Sequence, residues 1–514
     1  MNRYAAPGGA IIAGLCLFVA VQQAVFLMGW IALVPVLLPI FSYKLQAVSG
    51  KPQATSRKLQ ASGYKQYTPT RQHQRGIFFN GLVLGGSFSC CAFAWMIKGI
   101  PSFTGLSIGY GMAIFLLCVV LFSFACAGVL WIAFRIPNPF FIASVWALAE
   151  VVLQWMAGSL PWFLFHIGNS LSANLYAIQP VSVIGITGCS FVIVLVNCLV
   201  AKALAQRRYQ QLLLPLSLFI CFMCWGWLLL FLFERGDNNT QAATFKLAIL
   251  QPNIPPEVQW DQQNGNALVQ QLLQQEKQCI AQQPNVILWA ESAIPWTYSP
   301  NDDLVKELLH NSDPAQISHI LGINTAIAED VVGNSAYCLL PGGKLAGRYD
   351  KATPLLFIEQ PLQGWLLPFF SANGYSVQPG NNNLPLNTPY GKAGILICNE
   401  SALPSAAATT VRQGAQFLLN LSNDGWFRNT YLVNSHFYNA RVRAVETRKD
   451  LAINSNNGRS GLVNASGRID ETDLVTIRPN TIETIAVRFP ALPVCLCLLV
   501  LISTIIIHQK TKLT

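Results

Sequence analysis

The chain has 514 residues, of which 52% are hydrophobic and only 11% are charged. Ordinary soluble domains contain roughly 25% charged residues, so this composition excludes a wholly soluble protein. The net charge is +10, but many of the basic side chains fall in one polar stretch at 43–75, between apolar runs. That distribution is typical of a cytoplasmic loop under the positive-inside rule. We therefore expect a membrane protein and no nucleic-acid partner.

Apolar runs dominate the first 233 residues. A spanning helix needs about 20 apolar residues, and a break at Gln22 and Gln23 divides the first run into two short helices. This run lacks the small-residue cleavage pattern of a signal peptide, so we expect it to be retained. We predict about eight spans, in the runs at 8–42 (two helices), 76–98, 107–135, 138–157, 182–204, 211–233 and 490–507.

The basic residues also predict the orientation of these spans. With a cytoplasmic N-terminus, the loop at 43–75, the turn at 202–208 and the lysines of the C-terminal tail all lie inside, as the positive-inside rule requires. Both termini are then cytoplasmic, and the long polar stretch faces the other side. The predicted domains are N-terminal membrane helices (1–233), an extracytoplasmic domain (234–489) and a C-terminal helix with a tail (490–514).

The 234–489 stretch alternates short apolar segments with amphipathic ones. Its apolar segments are bounded by Gly, Pro or Asn, which is typical of buried strands. Strands that alternate with helices predict a layered α/β domain. The predicted strands lie in FKLAILQP, NVILWAES, ISHILGIN, AYCLLPGG, GKAGILICNE and GAQFLLNLSND.

The fourteen cysteines do not indicate a metal site. All but three lie in apolar runs, where a free cysteine behaves as a small hydrophobic residue. The other three, Cys279, Cys338 and Cys398, lack the close Cys or His spacing of a zinc site, so we expect no metal and no cofactor. Whether Cys279 and Cys338 are bridged or reduced stays open, because separation in sequence does not decide it.

Three reactive residue types follow predicted strands of this domain. Glu291 ends one strand, Cys398 followed by Glu400 ends another, and a loop carries Lys351 and then Glu359. A thiol, a carboxylate and an ammonium suffice for acyl transfer through a thioester. The thiol attacks, the carboxylate takes its proton, and the ammonium stabilises the oxyanion. Each residue alone is more commonly structural, so only the combination indicates this chemistry.

The segments around these residues resemble the nitrilase (carbon-nitrogen hydrolase) superfamily. The likeness lies in WAES, in YDK with a glutamate eight residues after its lysine, in ILICNE and in LSNDGWF. The rest of the chain resembles the bacterial apolipoprotein N-acyltransferases, the membrane-embedded members of that superfamily. This resemblance implies a nitrilase-like αββα sandwich beside an α-helical membrane bundle. The segments that carry this second resemblance are WALAE ending at Glu150, LPW, IGITGCSFVIVLVN, QPNIPPEVQW, SNNGRSGLV and the last apolar span.

The resemblance assigns the catalytic roles residue by residue. It implies that Cys398 is the nucleophile, Glu291 the general base and Lys351 the group that stabilises the oxyanion. The chain departs from the family pattern at two positions. Asn399 stands where the family has Tyr after the nucleophile, which affects acyl-chain contacts, and Ile358 stands where the family has Gly, which stiffens a loop.

The same resemblance implies further site residues. Glu359, Glu400 and Asn334 correspond to supporting polar residues, and Trp260 corresponds to a tryptophan on a substrate-facing loop. For each of these four, an anchoring role within a loop is an equal alternative.

Two aromatic segments are candidates for contact with lipid. The segment PLQGWLLPFF at 361–370 is a candidate lid that dips into the membrane interface, with Trp365, Phe369 and Phe370 as anchors. Trp365 and Phe369 are also candidate contacts for the substrate. A loop in the domain core is the alternative. The outward loop at 158–181 is either an interfacial aromatic belt or part of a lipid entrance.

The resemblance implies a two-step transfer at the bacterial cytoplasmic (inner) membrane, with the catalytic domain in the periplasm. In the first step, Cys398 takes an acyl chain from a glycerophospholipid, namely the sn-1 chain of phosphatidylethanolamine. In the second step, the α-amine of the S-diacylglyceryl cysteine that begins an apolipoprotein attacks the thioester. The product is a triacylated lipoprotein, and we expect the enzyme to act as a monomer.

Two other functions remain as alternatives. A membrane-tethered nitrilase-type amidase would use the same three residues on a small C–N substrate, with water as the acceptor. A non-enzymatic carrier of lipids or lipoproteins would keep Cys398 only as a core residue, and its function would survive Cys398→Ala. The number of predicted spans favours the acyltransferase, because one anchor would suffice for a tethered amidase.

Overall fold

The computed structural model describes residues 7–49, 71–104, 107–160, 163, 165–236, 243–255, 257, 258, 260–356, 358–360, 376–381 and 383–513. The α-helices within them are α1 (Pro7–Gln22), α2 (Phe26–Gly29), α3 (Val34–Ser49), α4 (Arg71–Ala92), α5 (Met96–Thr104), α6 (Ile108–Arg135), α7 (Pro139–Met156), α8 (Val181–Ala205), α9 (Leu213–Gly236), α10 (Gly265–Ala281), α11 (Asp303–Ser312), α12 (Pro404–Arg412), α13 (Tyr431–Thr447), α14 (Ile485–Arg488) and α15 (Leu492–Leu513).

Helices occupy every apolar run that the sequence predicts to span the membrane. Within the described ranges, five helical segments are long and apolar enough to cross a bilayer. These are α6, α7, α8, α9 with the turn before it, and α15. Two further apolar helices, Pro7–Gln22 and Phe26–Ser42, are shorter. The structure therefore supports a bundle of apolar helices, while the count of eight spans stays a prediction.

The N-terminal helices pack into one bundle with α15. Helix α4 lies against α1 and α6, and α7 lies against α8 and α15. Gly81 of α4 permits a close approach, because a Cβ there would lie 2.4 Å from the Cα of Ala127 in α6. The rings of Phe88, Phe122 and Phe165 cluster with centroids 4.8–5.2 Å apart. Phe165 comes from the predicted outward loop, yet it is buried and contributes to packing within the bundle.

The strands of the catalytic domain form two sheets. The first sheet has the strand order β14-β1-β2-β4-β5-β6, and in addition β3 pairs with β4 and β7 pairs with β5. The second sheet has the strand order β13-β12-β11-β10-β9-β8. The strands are β1 (Phe245–Leu250), β2 (Val286–Trp289), β3 (Ile294–Thr297), β4 (Ser318–Ala328), β5 (Val331–Leu339), β6 (Leu345–Asp350), β7 (Ser376–Val377), β8 (Leu386–Thr388), β9 (Gly391–Ile397), β10 (Phe417–Asn423), β11 (Leu451–Asn456), β12 (Gly461–Val463), β13 (Ile469–Asp470) and β14 (Leu474–Ile477).

The two sheets pack face to face and carry helices on their outer faces. Leu288 and Ile320 of the first sheet meet Ile395 and Leu419 of the second in one buried cluster. Helices α10 and α11 cover the outer face of the first sheet, and α12 and α13 cover that of the second. Strands covered on both faces are apolar throughout, which explains the uninterrupted runs in the sequence. The predicted layered α/β domain is therefore present as an αββα sandwich.

Helix α13 joins the catalytic domain to the bundle. Ser435 of α13 donates a hydrogen bond to Gln22 at the end of α1, at 3.1 Å. The carboxylate of Glu446 lies beside Gly185, where α8 is interrupted by a φ of +60°. Because the same helix covers the second sheet, it contacts both halves of the molecule.

The two cysteines of unknown redox state are separate packing residues. Cys279 and Cys338 are both free and buried. Cys338 belongs to the cluster between the sheets, and Cys279 belongs to the cluster under α10. The structure therefore favours the reduced alternative over a bridge.

A buried acid lies between α10 and the first sheet. Glu276 is fully buried, and its Oε1 lies 3.8 Å from Nε2 of His319. Asn311 donates a hydrogen bond to the other carboxylate oxygen at 3.3 Å. Burial raises the pKa of Glu276 to about 8 and lowers the pKa of His319 to about 4. Both side chains are therefore mainly neutral near pH 7.

We expect Glu276→Gln to stabilise the protein at alkaline pH. Folded Glu276 keeps its proton up to a pKa of about 8, whereas the unfolded chain releases it near 4.5. The wild-type free energy of unfolding therefore falls as the pH rises through that window. Glutamine has no proton to lose. The variant should therefore have the wild-type Tm near pH 4.5 and a higher Tm than the wild type above pH 8.

Thermal unfolding in detergent at both ends of this pH window measures the effect. The matched control is Glu329→Gln, which changes an exposed glutamate and should leave the pH dependence unaltered. A Tm difference for Glu276→Gln that is the same at both ends would contradict the assignment.

Candidate active site

Strand ends from both sheets meet at one end of the sandwich. β1, β2 and β4 run parallel in the first sheet, and β9, β10 and β11 run parallel in the second. Glu291 follows β2 by two residues, Lys351 directly follows β6, and Cys398 directly follows β9. Because the carboxyl ends of parallel strands share one edge of a sheet, the residues they deliver come together there. The structure brings the three predicted catalytic residues into contact.

Cys398 lies at a strained turn between β9 and a short 3-10 helix, Cys398–Ala402. Its φ is +52°, in the left-handed region that residues other than glycine rarely adopt. Burial raises the pKa of the Cys398 thiol, the Glu291 carboxylate raises it further, and Lys351 opposes both. The resting thiol is therefore neutral and needs a base to become nucleophilic.

The ammonium of Lys351 is fully buried between two carboxylates. Its Nζ lies 2.8 Å from Oε2 of Glu359 and 3.6 Å from Oε1 of Glu291. Burial lowers the pKa of Lys351, but Glu359 and Glu291 outweigh burial, so the pKa is raised and the side chain stays charged. Asn334 of β5 donates to both carboxylates, at 2.8 Å to Glu291 and 3.1 Å to Glu359. These four side chains form one hydrogen-bonded cluster.

Glu291 is the carboxylate of this cluster that contacts the thiol. Burial raises its pKa, Lys351 lowers it, and a hydrogen bond with Cys398 also lowers it; the net shift is upward. Glu359 forms the shorter ion pair with the lysine, so Glu291 is less strongly held by that charge. A carboxylate with a raised pKa accepts a proton more readily near neutral pH, which is what a general base requires.

Glu400 anchors a loop and does not belong to the cluster around the lysine. It is fully buried and accepts a hydrogen bond from the Tyr349 hydroxyl at 3.0 Å. It also accepts from the backbone N–H groups of Ala352 at 2.8 Å, Thr353 at 3.0 Å and Ile397 at 2.8 Å. These bonds fasten the loop that carries Lys351 to the end of β9.

The two residues that depart from the family pattern, Asn399 and Ile358, are both accommodated at the loop that follows Lys351. Asn399 is buried, and its Nδ2 donates to the carbonyl oxygen of Thr353 at 2.9 Å. Among the described residues its Oδ1 has no hydrogen-bond partner. Ile358 lies in a turn in which the N–H of Glu359 donates to the carbonyl oxygen of Leu355 at 2.8 Å. The turn therefore forms without the glycine of the family pattern.

Cys398 opens into a pocket between the catalytic domain and the membrane bundle. The pocket encloses about 650 Å³ of empty space, counting the part open to solvent. Its lining includes Gln22 from the end of α1, so the thiol can be reached from the bundle. The other lining residues are Leu355, Asn399, Ala402, Asn423, Trp426, Phe427, Leu432, Ser435, His436 and Asn439.

The predicted substrate contacts are not part of this described lining. Trp260 packs edge-to-face on Trp296, with ring centroids 5.5 Å apart, against the cluster beneath α10. Trp365 and Phe369, with Phe370, lie outside the described residues. A substrate role for these residues therefore stays a prediction.

Sequence reasoning missed a histidine in this pocket. His436 lies on α13, with its Nδ1 2.8 Å from Oδ1 of Asp424. Asp424 belongs to LSNDGWF, a motif that indicates a turn near the site, whereas the segment around His436 shows only a helical pattern. Among the described residues, no group of three or more His, Cys, Asp or Glu side chains could hold a metal ion.

Comparisons with known proteins agree with this architecture. The family model for the N-terminal domain of apolipoprotein N-acyltransferase matches residues 13–199, and the carbon-nitrogen hydrolase model matches residues 246–469. The chain belongs to the apolipoprotein N-acyltransferase family of the carbon-nitrogen hydrolase superfamily. The two matched regions coincide with the helical bundle and the αββα sandwich, respectively.

Individual relatives are similar at moderate identity. The apolipoprotein N-acyltransferase of Geobacter metallireducens is 28% identical over 63% of this chain and 64% of its own length. That of Rickettsia typhi is 26% identical over 63% and 65%, and that of Brucella suis is 28% identical over 73% and 71%. The first two alignments thus span slightly less than two thirds of those relatives.

We expect Glu400→Gln to destabilise the catalytic domain. Glutamine offers one accepting oxygen instead of two, and its amide NH2 group faces N–H and O–H donors. Losing a hydrogen bond to a buried charged group costs about 1.5–3 kcal/mol, so the free energy of unfolding should fall by at least about 1.5 kcal/mol.

Thermal unfolding of the detergent-solubilised protein measures this loss. The matched control is Glu471→Gln, which breaks a surface ion pair with Arg459 and should change stability by less than about 1 kcal/mol. An equal loss in both variants would show that Glu400 is not the anchor.

Proposed function

We propose that this chain transfers an acyl chain from a glycerophospholipid, through a thioester on Cys398, to the α-amine of the S-diacylglyceryl cysteine at the N-terminus of an apolipoprotein. The donor we propose is phosphatidylethanolamine, and the product is a triacylated lipoprotein. The observation that carries the proposal is the pocket at Cys398: the thiol that contacts Glu291 opens into a space that is also lined by Gln22, at the end of the apolar helix α1.

In the first step, Glu291 takes the proton of the Cys398 thiol and the sulfur attacks the ester carbonyl. The ammonium of Lys351 stabilises the negative charge that develops on the carbonyl oxygen. When the C–O bond breaks, the glycerol oxygen takes the proton from Glu291, and the lysophospholipid leaves. The acyl chain then remains on Cys398 as a thioester.

In the second step, the amine nitrogen attacks the thioester carbonyl. The C–N bond forms, the C–S bond breaks, and Glu291 carries the proton from the nitrogen to the departing sulfur. Lys351 stays protonated in both steps, which its raised pKa supports. This order of steps predicts ping-pong kinetics, because the first product leaves before the second substrate reacts.

The membrane helices suit substrates that are held in a bilayer by their own acyl chains. We propose about eight spans, with both termini in the cytoplasm and the 234–489 domain in the periplasm, next to the outer leaflet. The positive-inside distribution of basic residues supports this orientation. An active site at the membrane surface accepts lipid substrates without extracting them, and the chain is proposed to act there as a monomer.

We further propose that the segment at 361–370 is a lid that contacts the acyl chains through Trp365 and Phe369. Its position in the sequence, directly after Glu359, supports the proposal. We also propose Trp260 as a contact for the substrate.

We expect the purified protein to gain one acyl mass when it is incubated with phosphatidylethanolamine alone. If the lipid carries different chains at its two positions, the mass of the adduct identifies which chain moved. Intact mass spectrometry measures the adduct, and hydroxylamine should remove it because it cleaves thioesters. Cys398→Ala should show no adduct, whereas the control Cys495→Ala, at an exposed cysteine of α15, should behave as the wild type.

The acceptor step separates the proposed function from hydrolysis. A diacylglyceryl peptide with a free N-terminal amine should discharge the acyl-enzyme and gain the acyl mass, and the N-acetylated peptide should not. Discharge at the same rate by water alone would support the amidase alternative. Absence of any adduct on the folded wild type would contradict the phospholipid donor.

A further inference from the structure

An Asp–His pair lies beside the nucleophile, on elements that carry none of the three catalytic groups. Asp424 follows β10, and His436 lies on α13 with 13% of its side chain exposed. The Nε2 atom of His436 lies 3.0 Å from the carbonyl oxygen of Cys398, and its Nδ1 lies 2.8 Å from Oδ1 of Asp424. The imidazole thus bridges a buried carboxylate and the backbone of the nucleophile.

The partners of this imidazole determine its protonation state. A backbone carbonyl and a carboxylate both accept hydrogen bonds, so both ring nitrogens must carry hydrogen. Ser401 fits the same arrangement, because its Oγ donates to the Cys398 carbonyl at 3.0 Å and can accept from Nε2 at 2.9 Å. Burial lowers the pKa of His436, but Asp424 outweighs burial and raises it above the ordinary value. The ring is therefore held as an imidazolium.

The bonds to Cys398 fix one peptide group. Its carbonyl oxygen accepts from His436 and from Ser401, both at 3.0 Å, and from Nδ2 of Asn420 at 3.5 Å. A peptide group is planar and trans, so these bonds also fix the N–H of Asn399, which points to the opposite side. This N–H lies in the first turn of the 3-10 helix, where backbone donors have no partner within the helix.

We propose that Asp424 and His436 are positioning residues that hold the Cys398–Asn399 peptide so that the Asn399 N–H donates to the oxyanion of the acyl-transfer intermediate. This inference rests on the proposed function, since it concerns the same thioester chemistry. Lys351 then supplies the charge at the oxyanion, and the fixed N–H supplies a second, directional donor.

The test compares two reactions of the same thiol. Alkylation of Cys398 by iodoacetamide forms no oxyanion, whereas acylation by a p-nitrophenyl acyl ester does. His436→Phe keeps the ring but removes both donors, so acylation should slow by about 100-fold, the effect of losing one oxyanion donor, while alkylation keeps its rate. His436→Gln, which retains an N–H donor towards Cys398, should recover most of the acylation rate.

The matched control is His310→Phe, at an exposed histidine of α11, which should leave both reactions unchanged. Acylation of His436→Phe at the wild-type rate would overturn the proposal. A parallel loss of alkylation and acylation would also overturn it, because the histidine would then be only structural. Because the activated ester replaces the phospholipid, this result does not depend on the proposed phospholipid donor. Failure of that donor step would be seen separately, as the absence of the acyl adduct when the wild type is incubated with phosphatidylethanolamine.

The pH profile gives a second, independent test with Asp424→Asn. The groups that face the imidazole are Asp424, Glu291 and Cys398, with the hydroxyls of Ser401 and Ser422. In the wild type, Asp424 retains the Nδ1 proton, so deprotonation removes the hydrogen of Nε2 and releases the Cys398 carbonyl. Acylation should therefore fall as the pH rises through the pKa of His436.

In Asp424→Asn, the amide can donate to Nδ1, so a neutral imidazole keeps its hydrogen on Nε2. The variant lacks the Asp424 carboxylate, but the decrease in acylation rate at alkaline pH that is due to His436 should then disappear. The alkylation profile, which reports the thiol itself, is the internal control. Superimposable acylation profiles for the wild type and Asp424→Asn would overturn the assignment.

Discussion

The arrangement of the site depends on the burial of one ammonium. An ion in a protein interior loses several kcal/mol of solvation, so Lys351 requires anionic partners. Glu359 at 2.8 Å and Glu291 at 3.6 Å supply them, and Asn334 holds both carboxylates in place. Two carboxylates against one ammonium leave an excess negative charge, and Glu291 carries it next to Cys398. The position of a carboxylate at the thiol is thus a consequence of how the lysine is buried.

Helix α13 connects this chemistry with the membrane bundle. His436 contacts the backbone of Cys398, the preceding Ser435 donates to Gln22 of α1, and Arg441 donates to the carbonyl oxygen of Ser172 at 2.8 Å. The pocket therefore lies at a junction that neither half of the chain forms alone. Cys398, which the sandwich carries, therefore shares its pocket with Gln22 at the end of the apolar helix α1.

Much of the fold and the core of the site could be predicted from sequence. The uninterrupted apolar runs of the strands reflect a sandwich covered on both sides, and the reactive residues Glu291 and Cys398 directly follow such runs. His436 could not be found in the same way, because its segment shows only a helical pattern and its contact depends on how α13 packs. The same holds for Phe165, which comes from an aromatic loop but lies inside the bundle.

The sequence by itself determined the apolar helices, the layered domain and the residue types available for catalysis, because hydropathy patterns and motifs are properties of neighbouring residues. Only the tertiary structure decided which groups meet, how deeply each is buried and which are charged. Glu359 rather than Glu291 forms the shorter ion pair with Lys351, and Glu400 anchors a loop instead of pairing with the lysine. Such outcomes depend on distances between segments far apart in the chain, since ionisation responds to burial and to nearby charges.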